Sequence, residues 1–136
     1  MGGRWIQMAG KILLDSNFTI DLFKGSLAAQ GLLAAAEEVF VPATAMGELF
    51  HGAEISERRE AKMEEAEEFA AGRTLLPCDL ETARHYGGIK GTLKIRGRPI
   101  PDNDIWIAAL AQQHNLTLAT RDAHFREVEA LSLLSW

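Results

Sequence analysis

The chain has 136 residues, of which 47% are hydrophobic and 24% charged, with a formal net charge of −5 and a single cysteine, Cys78. This is the composition of an ordinary globular protein, and it excludes intrinsic disorder, an internal disulfide and a zinc site built on several cysteines. The negative charge argues against indiscriminate nucleic-acid binding. No apolar run approaches the roughly 18 residues of a membrane span. The single cysteine fits a reducing compartment, and we expect a cytoplasmic protein.

Short apolar runs alternate with helical patterns along the chain, which predicts an α/β fold with a mostly parallel sheet covered by helices on both faces. No repeat or linker divides it, so we expect one domain over residues 11–136. Residues 1–10 lack the apolar stretch of a signal peptide and indicate a loose N-terminal extension. The predicted elements are, in order, a strand at 11–15, helices at 16–23 and 26–37, a strand at 39–41, helices at 43–51 and 58–71, a strand at 74–77, helices at 80–95 and 103–114, a strand at 116–120, a helical turn at 121–125 and a strand at 131–134.

Polar residues and a glycine predict where several helices begin and end. Ser16 or Asn17 is the expected N-cap of the first helix, Asp79 that of the helix at 80–95, and Asp102 that of the helix at 103–114. Gly52 is expected to end or kink the helix that begins at residue 43.

Four acidic residues from distant parts of the sequence are predicted to meet at one edge of the sheet. Asp15 ends the first strand, and Asp122 follows the strand at 116–120. Glu48 lies on the helix after the second strand, and Asp104 lies in the first turn of the helix that leads into the fourth. Because right-handed crossovers return parallel strands to the same edge, these four side chains can converge there.

Clustered carboxylates repel, at a cost of roughly 4 kcal/mol for two charges 4 Å apart at an effective dielectric constant near 20. A hard cation such as Mg²⁺ or Mn²⁺ offsets this repulsion and prefers oxygen ligands. Such an ion can orient and acidify a water and bind phosphate oxygens, which suits phosphodiester hydrolysis. The four histidines stand in unrelated sequence settings, and we expect none of them to bind metal: His51, His85, His114 and His124.

Residues 82–101 contain five basic residues and no acid. This run is either a solvated helix face and loop, a surface for a protein partner, or a surface that contacts RNA phosphates beside the acidic pocket. In the last case three residues are the expected RNA contacts: Lys94, Arg96 and Arg98.

Five short pieces of sequence carry a specific resemblance, in order and over nearly the whole chain. They are Leu-Leu-Asp15-Ser16-Asn17; Gly47-Glu48-Leu49 with Gly52-Ala53; Gly97-Arg-Pro-Ile-Pro-Asp-Asn-Asp104-Ile-Trp-Ile-Ala-Ala109; Leu-Ala-Thr120-Arg121-Asp122; and Trp136. Together they resemble PIN-domain proteins, and in particular the VapC-type ribonuclease toxins of bacterial type II toxin–antitoxin pairs.

The resemblance implies a three-layer α/β/α sandwich with a five-stranded sheet. It also implies an Mg²⁺- or Mn²⁺-dependent endoribonuclease that hydrolyses RNA with a metal-activated water. The implied partners are the RNA substrate, a cognate antitoxin and a second copy of the chain, in a homodimer or a toxin–antitoxin hetero-oligomer. Two alternatives are a PIN-fold nuclease that is not a toxin, and a catalytically silent regulatory or binding module, against which the four intact acids argue.

The resemblance also implies roles for individual residues. Asp15 and Asp104 would be the main metal ligands, while Glu48 and Asp122 would bind directly, through water or at a second metal. Asp102 lies one helical step aside, so we expect it to cap the helix or to bind the ion through water, and direct binding of the metal by Asp102 is the less favoured alternative. Three more residues are expected to support the site: Ser16, Thr120 and Arg121.

Overall fold

The computed structural model describes residues 10–136, so the expected extension lies almost wholly outside the described residues. Five strands form one sheet in the order β3-β2-β1-β4-β5, with every pairing parallel, as predicted. Within residues 10–136, six α-helices and one 3₁₀ helix accompany the strands. The elements are β1 Lys11–Leu14, α1 Ser16–Phe23, α2 Leu27–Ala35, β2 Glu38–Pro42, α3 Ala43–Glu54, α4 Arg59–Ala70, β3 Thr74–Leu76, α5 Leu80–Ile95, α6 Asp102–His114, β4 Thr117–Ala119, the 3₁₀ helix Ala123–Glu127 and β5 Leu133–Leu134.

Alternate residues of the strands feed two separate cores, one on each face of the sheet. On one face, Leu13 and Leu118 pack with helices α5 and α6 and with Phe125 of the 3₁₀ helix. On the other face, Ile12 and Leu14 pack with helices α1 to α4. The three-layer α/β/α arrangement follows from this alternation, and the predicted fold class is confirmed.

The strand order of the sheet changes direction at β1, and this determines where a ligand site can form. Strands β2 and β3 extend it to one side of β1, whereas β4 and β5 extend it to the other. A crevice opens at such a switch point, at the carboxyl ends of the strands. Asp15 directly follows β1, and its backbone N–H donates to Ala119 O of β4 at 3.1 Å. Asp15 is therefore placed at the crevice by the topology.

The cap predictions hold for α5 and are wrong for α1 and α6. Asp79 forms a reciprocal capping box with Thr82. Helix α1 is capped by Asp15, whose carboxylate accepts from Ser16 N, and not by Ser16 or Asn17. Pro101, extended at φ −57° and ψ 144°, takes the cap position of α6, so Asp102 is already helical.

Helix α3 does not end at Gly52, one of the two predicted outcomes, but continues to Glu54. A glycine inside a helix costs only about 1 kcal/mol relative to alanine, which tertiary packing readily offsets. Ala53 is buried against the rest of the protein, 3% exposed, and this burial supports the last turn. Within residues 10–136, no helix is both long enough and apolar enough to cross a membrane.

Candidate active site

Asp15 is the buried centre of the site, with 2% of its surface exposed. Its Oδ1 accepts from Ser16 N at 2.8 Å, and its Oδ2 accepts from the Thr120 hydroxyl at 2.7 Å. Burial raises the pKa of Asp15 above its ordinary value although both hydrogen bonds lower it, and the charges of Asp122 and Glu48 raise it further. The site therefore holds a carboxylate that a cation would stabilise.

Thr120 connects two of the predicted acids. Its hydroxyl donates to Asp15 and accepts from the backbone N–H of Asp122 at 2.9 Å. Thr120 follows strand β4 and is 5% exposed, so the bond to Asp15 joins the ends of two neighbouring strands inside the protein. A threonine here fixes the side chain of one acid and the backbone of the next.

Asp104 lies in the first turn of α6 and contacts the 3₁₀ helix through His124. Its side chain is 16% exposed, and its Oδ2 lies 3.4 Å from His124 Nδ1. Burial raises the pKa of Asp104, the charges of Asp15 and Asp122 raise it further, and His124 lowers it. Asp104 thus shares the electrostatic environment of Asp15 although the two are far apart in the sequence.

Asp122 caps the 3₁₀ helix, and its Oδ1 accepts from His124 N at 2.9 Å. The same oxygen lies 3.1 Å from His124 Nδ1. One potential ligand atom from each of Asp104, Asp122 and His124 lies within 4.8 Å of the other two. The structure therefore brings His124 to the acids, in contrast to the expectation that its setting is unrelated to them.

Glu48 is held beside the acids by a contact between two helices. The side chain of Asn103 on α6 donates from Nδ2 to Glu48 Oε1 on α3 at 2.7 Å. Asn103 immediately precedes Asp104, so one turn of α6 presents one acid and orients another. Sequence reasoning missed this residue, although its place between Asp102 and Asp104 at a helix start was the available signal.

The other predicted residues lie in distinct places. Ser16 contributes its backbone N–H to Asp15. Asp102 accepts from Lys90 Nζ and Tyr86 OH, both at 3.0 Å. Arg121 binds Asp21 Oδ2 and the carbonyl oxygen of Trp136, each at 3.2 Å, and so ties down the last described segment.

The predicted RNA-contacting residues differ in their surroundings. Arg96 Nη1 donates to Glu127 O at 2.9 Å, and the guanidinium groups of Arg96 and Arg98 each lie 3.6 Å from a carboxylate oxygen of Glu127. Lys94 is exposed on α5. The run that is free of acids in the sequence is therefore partly neutralised in space by Glu127, the last residue of the 3₁₀ helix.

An apolar groove opens directly beside the acids, between helices α1, α3 and α4. Its volume is about 270 Å³, and Ser16 and Glu48 form part of its wall. Ile20 and Phe23 line it from α1 and are 46% and 39% exposed. The acidic site and an exposed apolar surface are therefore continuous.

Comparison with known proteins gives the same architecture. The PIN domain family matches residues 12–131. The chain is 35% identical to Ribonuclease VapC2 of Haemophilus influenzae over 102 residues, which are 74% of this chain and 77% of that protein. It superposes on VapBC-1 from nontypeable Haemophilus influenzae with a TM-score of 0.83 at 28% identity, over 93% of this chain and 98% of that one.

A second solved structure extends the comparison to another organism. VapBC-5 from Mycobacterium tuberculosis, a member of the VapBC family of toxin–antitoxin systems, superposes with a TM-score of 0.72 at 25% identity, over 93% of this chain and 97% of that one. Since the PIN domain match spans most of the chain and the VapC2 similarity covers about three quarters of both proteins, the chain belongs to the PIN domain family and, within it, to the VapC-type proteins.

Proposed function

We propose that this protein is a divalent-metal-dependent endoribonuclease and the toxin of a type II toxin–antitoxin pair. One observation carries the proposal: acids from four separate segments lie at the switch point of the sheet, around a buried carboxylate whose pKa burial raises. Its relatives include a protein named a ribonuclease and complexes of toxin–antitoxin systems. RNA as the substrate places the proposed activity in the cytoplasm.

The donor set fits Mg²⁺ or Mn²⁺, because all four acids offer oxygen ligands. Two of the acids have raised pKa values, which a bound cation would lower. Asp15 and Asp104 would be the main ligands, with Glu48 and Asp122 binding directly, through water or at a second ion. When bound, the ion supplies an oriented, acidified water and stabilises charge on phosphate oxygens.

The chain itself prepares this site through hydrogen bonds. Thr120 holds Asp15 in one orientation, and Asn103 holds Glu48 towards the same edge. Such contacts reduce the reorganisation that is needed when a charged substrate arrives. Lys94, Arg96 and Arg98 would attract RNA phosphates from the end of α5.

We propose that the antitoxin silences the nuclease by covering the acidic pocket, with an arginine or lysine reaching the acids. An apolar segment of the antitoxin lying in the groove of Ile20 and Phe23 would bring a basic side chain beside Glu48. Mixing the protein with its cognate antitoxin should abolish RNA cleavage, and full activity in the mixture would rule this arrangement out. A small upstream open reading frame for a DNA-binding antitoxin would favour the toxin over a nuclease without such a partner.

The test of the function is cleavage of an RNA pool and a matched single-stranded DNA pool. Reactions contain Mg²⁺, Mn²⁺ or a chelator, with Asp104→Asn alongside the native protein. We expect cleavage of RNA with either ion and none with the chelator or the variant. Removal of one carboxylate should lower the rate by at least about 100-fold, the usual scale for loss of an electrostatic catalytic group. Cleavage that persists in the presence of the chelator would contradict the proposal. Cleavage of the DNA pool alone would show that DNA, and not RNA, is the substrate.

The catalytically silent module is the second candidate, and it makes the opposite prediction. It requires that neither pool be cleaved and that no metal bind to the acids. The buried carboxylate disfavours it, because a buried charge with no cation to balance it costs stability without a function to retain it.

A further inference from the structure

His124 lies against two of the four acids, Asp104 and Asp122. Its Nδ1 is 3.1 Å from Asp122 Oδ1 and 3.4 Å from Asp104 Oδ2. The turn that produces this placement is itself fixed, because Asp122 Oδ1 also accepts the backbone N–H of His124 at 2.9 Å. The imidazole is therefore folded back onto the cap of its own helix.

The two distances from the histidine nitrogen to the carboxylate oxygens match the spacing of neighbouring ligands around one ion. Adjacent ligands of an octahedral ion with bonds of about 2.1 Å lie about 3 Å apart. The distances from Nδ1 to the two oxygens are close to this, and all three atoms lie within 4.8 Å of one another. A cation between them would replace the direct contacts of the nitrogen with the carboxylates.

We propose that His124 is a metal ligand, so that the site holds its cation with one nitrogen as well as carboxylate oxygens. This inference rests on the proposed metal-dependent function and adds a preference among metals. Mg²⁺ strongly prefers oxygen, whereas imidazole suits the transition metals, whose affinity for such sites rises from Mn²⁺ onwards. A site that includes His124 therefore selects Mn²⁺ over Mg²⁺ more strongly than the four acids would alone.

A histidine that only hydrogen-bonds to the acids would behave differently. Replacing such a histidine would disturb Asp104 and Asp122 in the same way whichever ion binds. The affinities for Mn²⁺ and for Mg²⁺ would therefore fall by the same factor. The ratio of the two affinities, and the presence of a nitrogen bound to the metal, therefore distinguish a ligand from a positioning residue.

The experiment uses the metal-stripped full chain and Mn²⁺ or Mg²⁺ alone. Electron spin-echo measurements on bound Mn²⁺, with protein labelled at histidine with ¹⁵N, report a directly bound nitrogen. Calorimetry of both ions is then compared between the native protein and His124→Asn. His114→Asn is the matched control, because His114 is exposed in the last turn of α6, far from the first.

We expect a ¹⁵N coupling to Mn²⁺ in the native protein and in His114→Asn, and its loss in His124→Asn. The affinity for Mn²⁺ should fall at least about tenfold in that variant, the scale on which a group that shapes a metal site acts, and that for Mg²⁺ by much less. Bound Mn²⁺ without nitrogen coupling in the native protein, or equal losses for both ions, would overturn the inference and leave the proposed function standing. Failure of the native protein to bind Mn²⁺ would overturn both.

Discussion

In the absence of a cation, the ionised forms of individual carboxyl groups in this site are energetically unfavourable. Asp15 and Asp104 both have pKa values raised first by burial and then by neighbouring negative charge. A folded-state pKa above the unfolded value means that folding disfavours the ionised group. The protein is then most stable, as far as this group is concerned, at a pH below the pKa of the unfolded state, which is near the ordinary 3.8. That contribution to the free energy of unfolding is lost as the pH rises through the folded-state pKa.

The Asp104→Asn variant should therefore make the metal-free protein more stable at neutral pH while destroying the site. We expect its melting temperature in chelator at pH 7 to exceed that of the native protein by a few degrees, which corresponds to about 1 kcal/mol in a domain of this size. The difference should shrink as the pH falls towards 3.8, where the native group is protonated. Thermal unfolding with chelator and with Mn²⁺ measures this, and a variant that is less stable than native in chelator would contradict it.

At the scale of elements, the site is assembled by side-chain bonds between neighbouring strands and helices. Thr120 joins the ends of β4 and β1 through Asp15, and Asn103 joins α6 to α3 through Glu48. The hydrogen bond between the strand ends joins two buried residues, whereas the hydrogen bond between the helices joins two exposed residues. Glu48 is therefore the acid whose position depends most on a single hydrogen bond.

Replacement of Asn103 tests that dependence. In Asn103→Ala, Glu48 loses its partner and the turnover number for RNA should fall about tenfold, while the free energy of unfolding changes by less than about 1 kcal/mol, as is usual for an exposed side chain. Asn103→Asp places two carboxylates together and should lower turnover further. Steady-state kinetics with both variants measures the effect, and native turnover in both would show that Asn103 does not position Glu48.

The elements differ in how well local sequence predicts them. Short apolar runs identified the strands, and parallel topology then brought Asp15 and Asp122 to one edge, because strand ends meet there whatever the loops do. The bond from Asn103 to Glu48 depends on how two helices pack, and the placement of His124 depends on a turn of 3₁₀ helix. Neither leaves a periodic signal. The prolines before Asp102 disfavour helix there, which makes Asp102 the predicted cap, yet the extended Pro101 itself occupies the cap position.

At the scale of the molecule, charge is divided between the acidic pocket and the basic end of α5. Lys94 is exposed there, and Arg98 remains 64% exposed despite its interaction with Glu127. Both are therefore accessible to phosphates. Leu80 and Ile95, at opposite ends of α5, are 68% and 89% exposed. We propose that part of this exposed apolar surface is covered in a homodimer of two 14.9 kDa chains.

Charge reversal at this surface should weaken RNA cleavage most strongly at low salt. In Lys94→Glu and Arg98→Glu, the dependence of log(kcat/KM) on log salt should become shallower by about 0.7 for each single-strand phosphate that the variant no longer binds. Lys11→Glu is the control, because Lys11 begins β1 at the opposite edge of the sheet. An unchanged salt dependence in both variants would assign the basic residues to another role.

The central claim, that distant acids hold one catalytic cation at the switch point of the sheet, is tested most directly by anomalous diffraction at the manganese absorption edge from crystals soaked in Mn²⁺. We predict a peak bounded by the carboxylates of Asp15 and Asp104, with Asp122 and Glu48 beside it, and its loss in Asp104→Asn crystals. A saturating soak that gives no peak there, or one only at another surface, would contradict the claim.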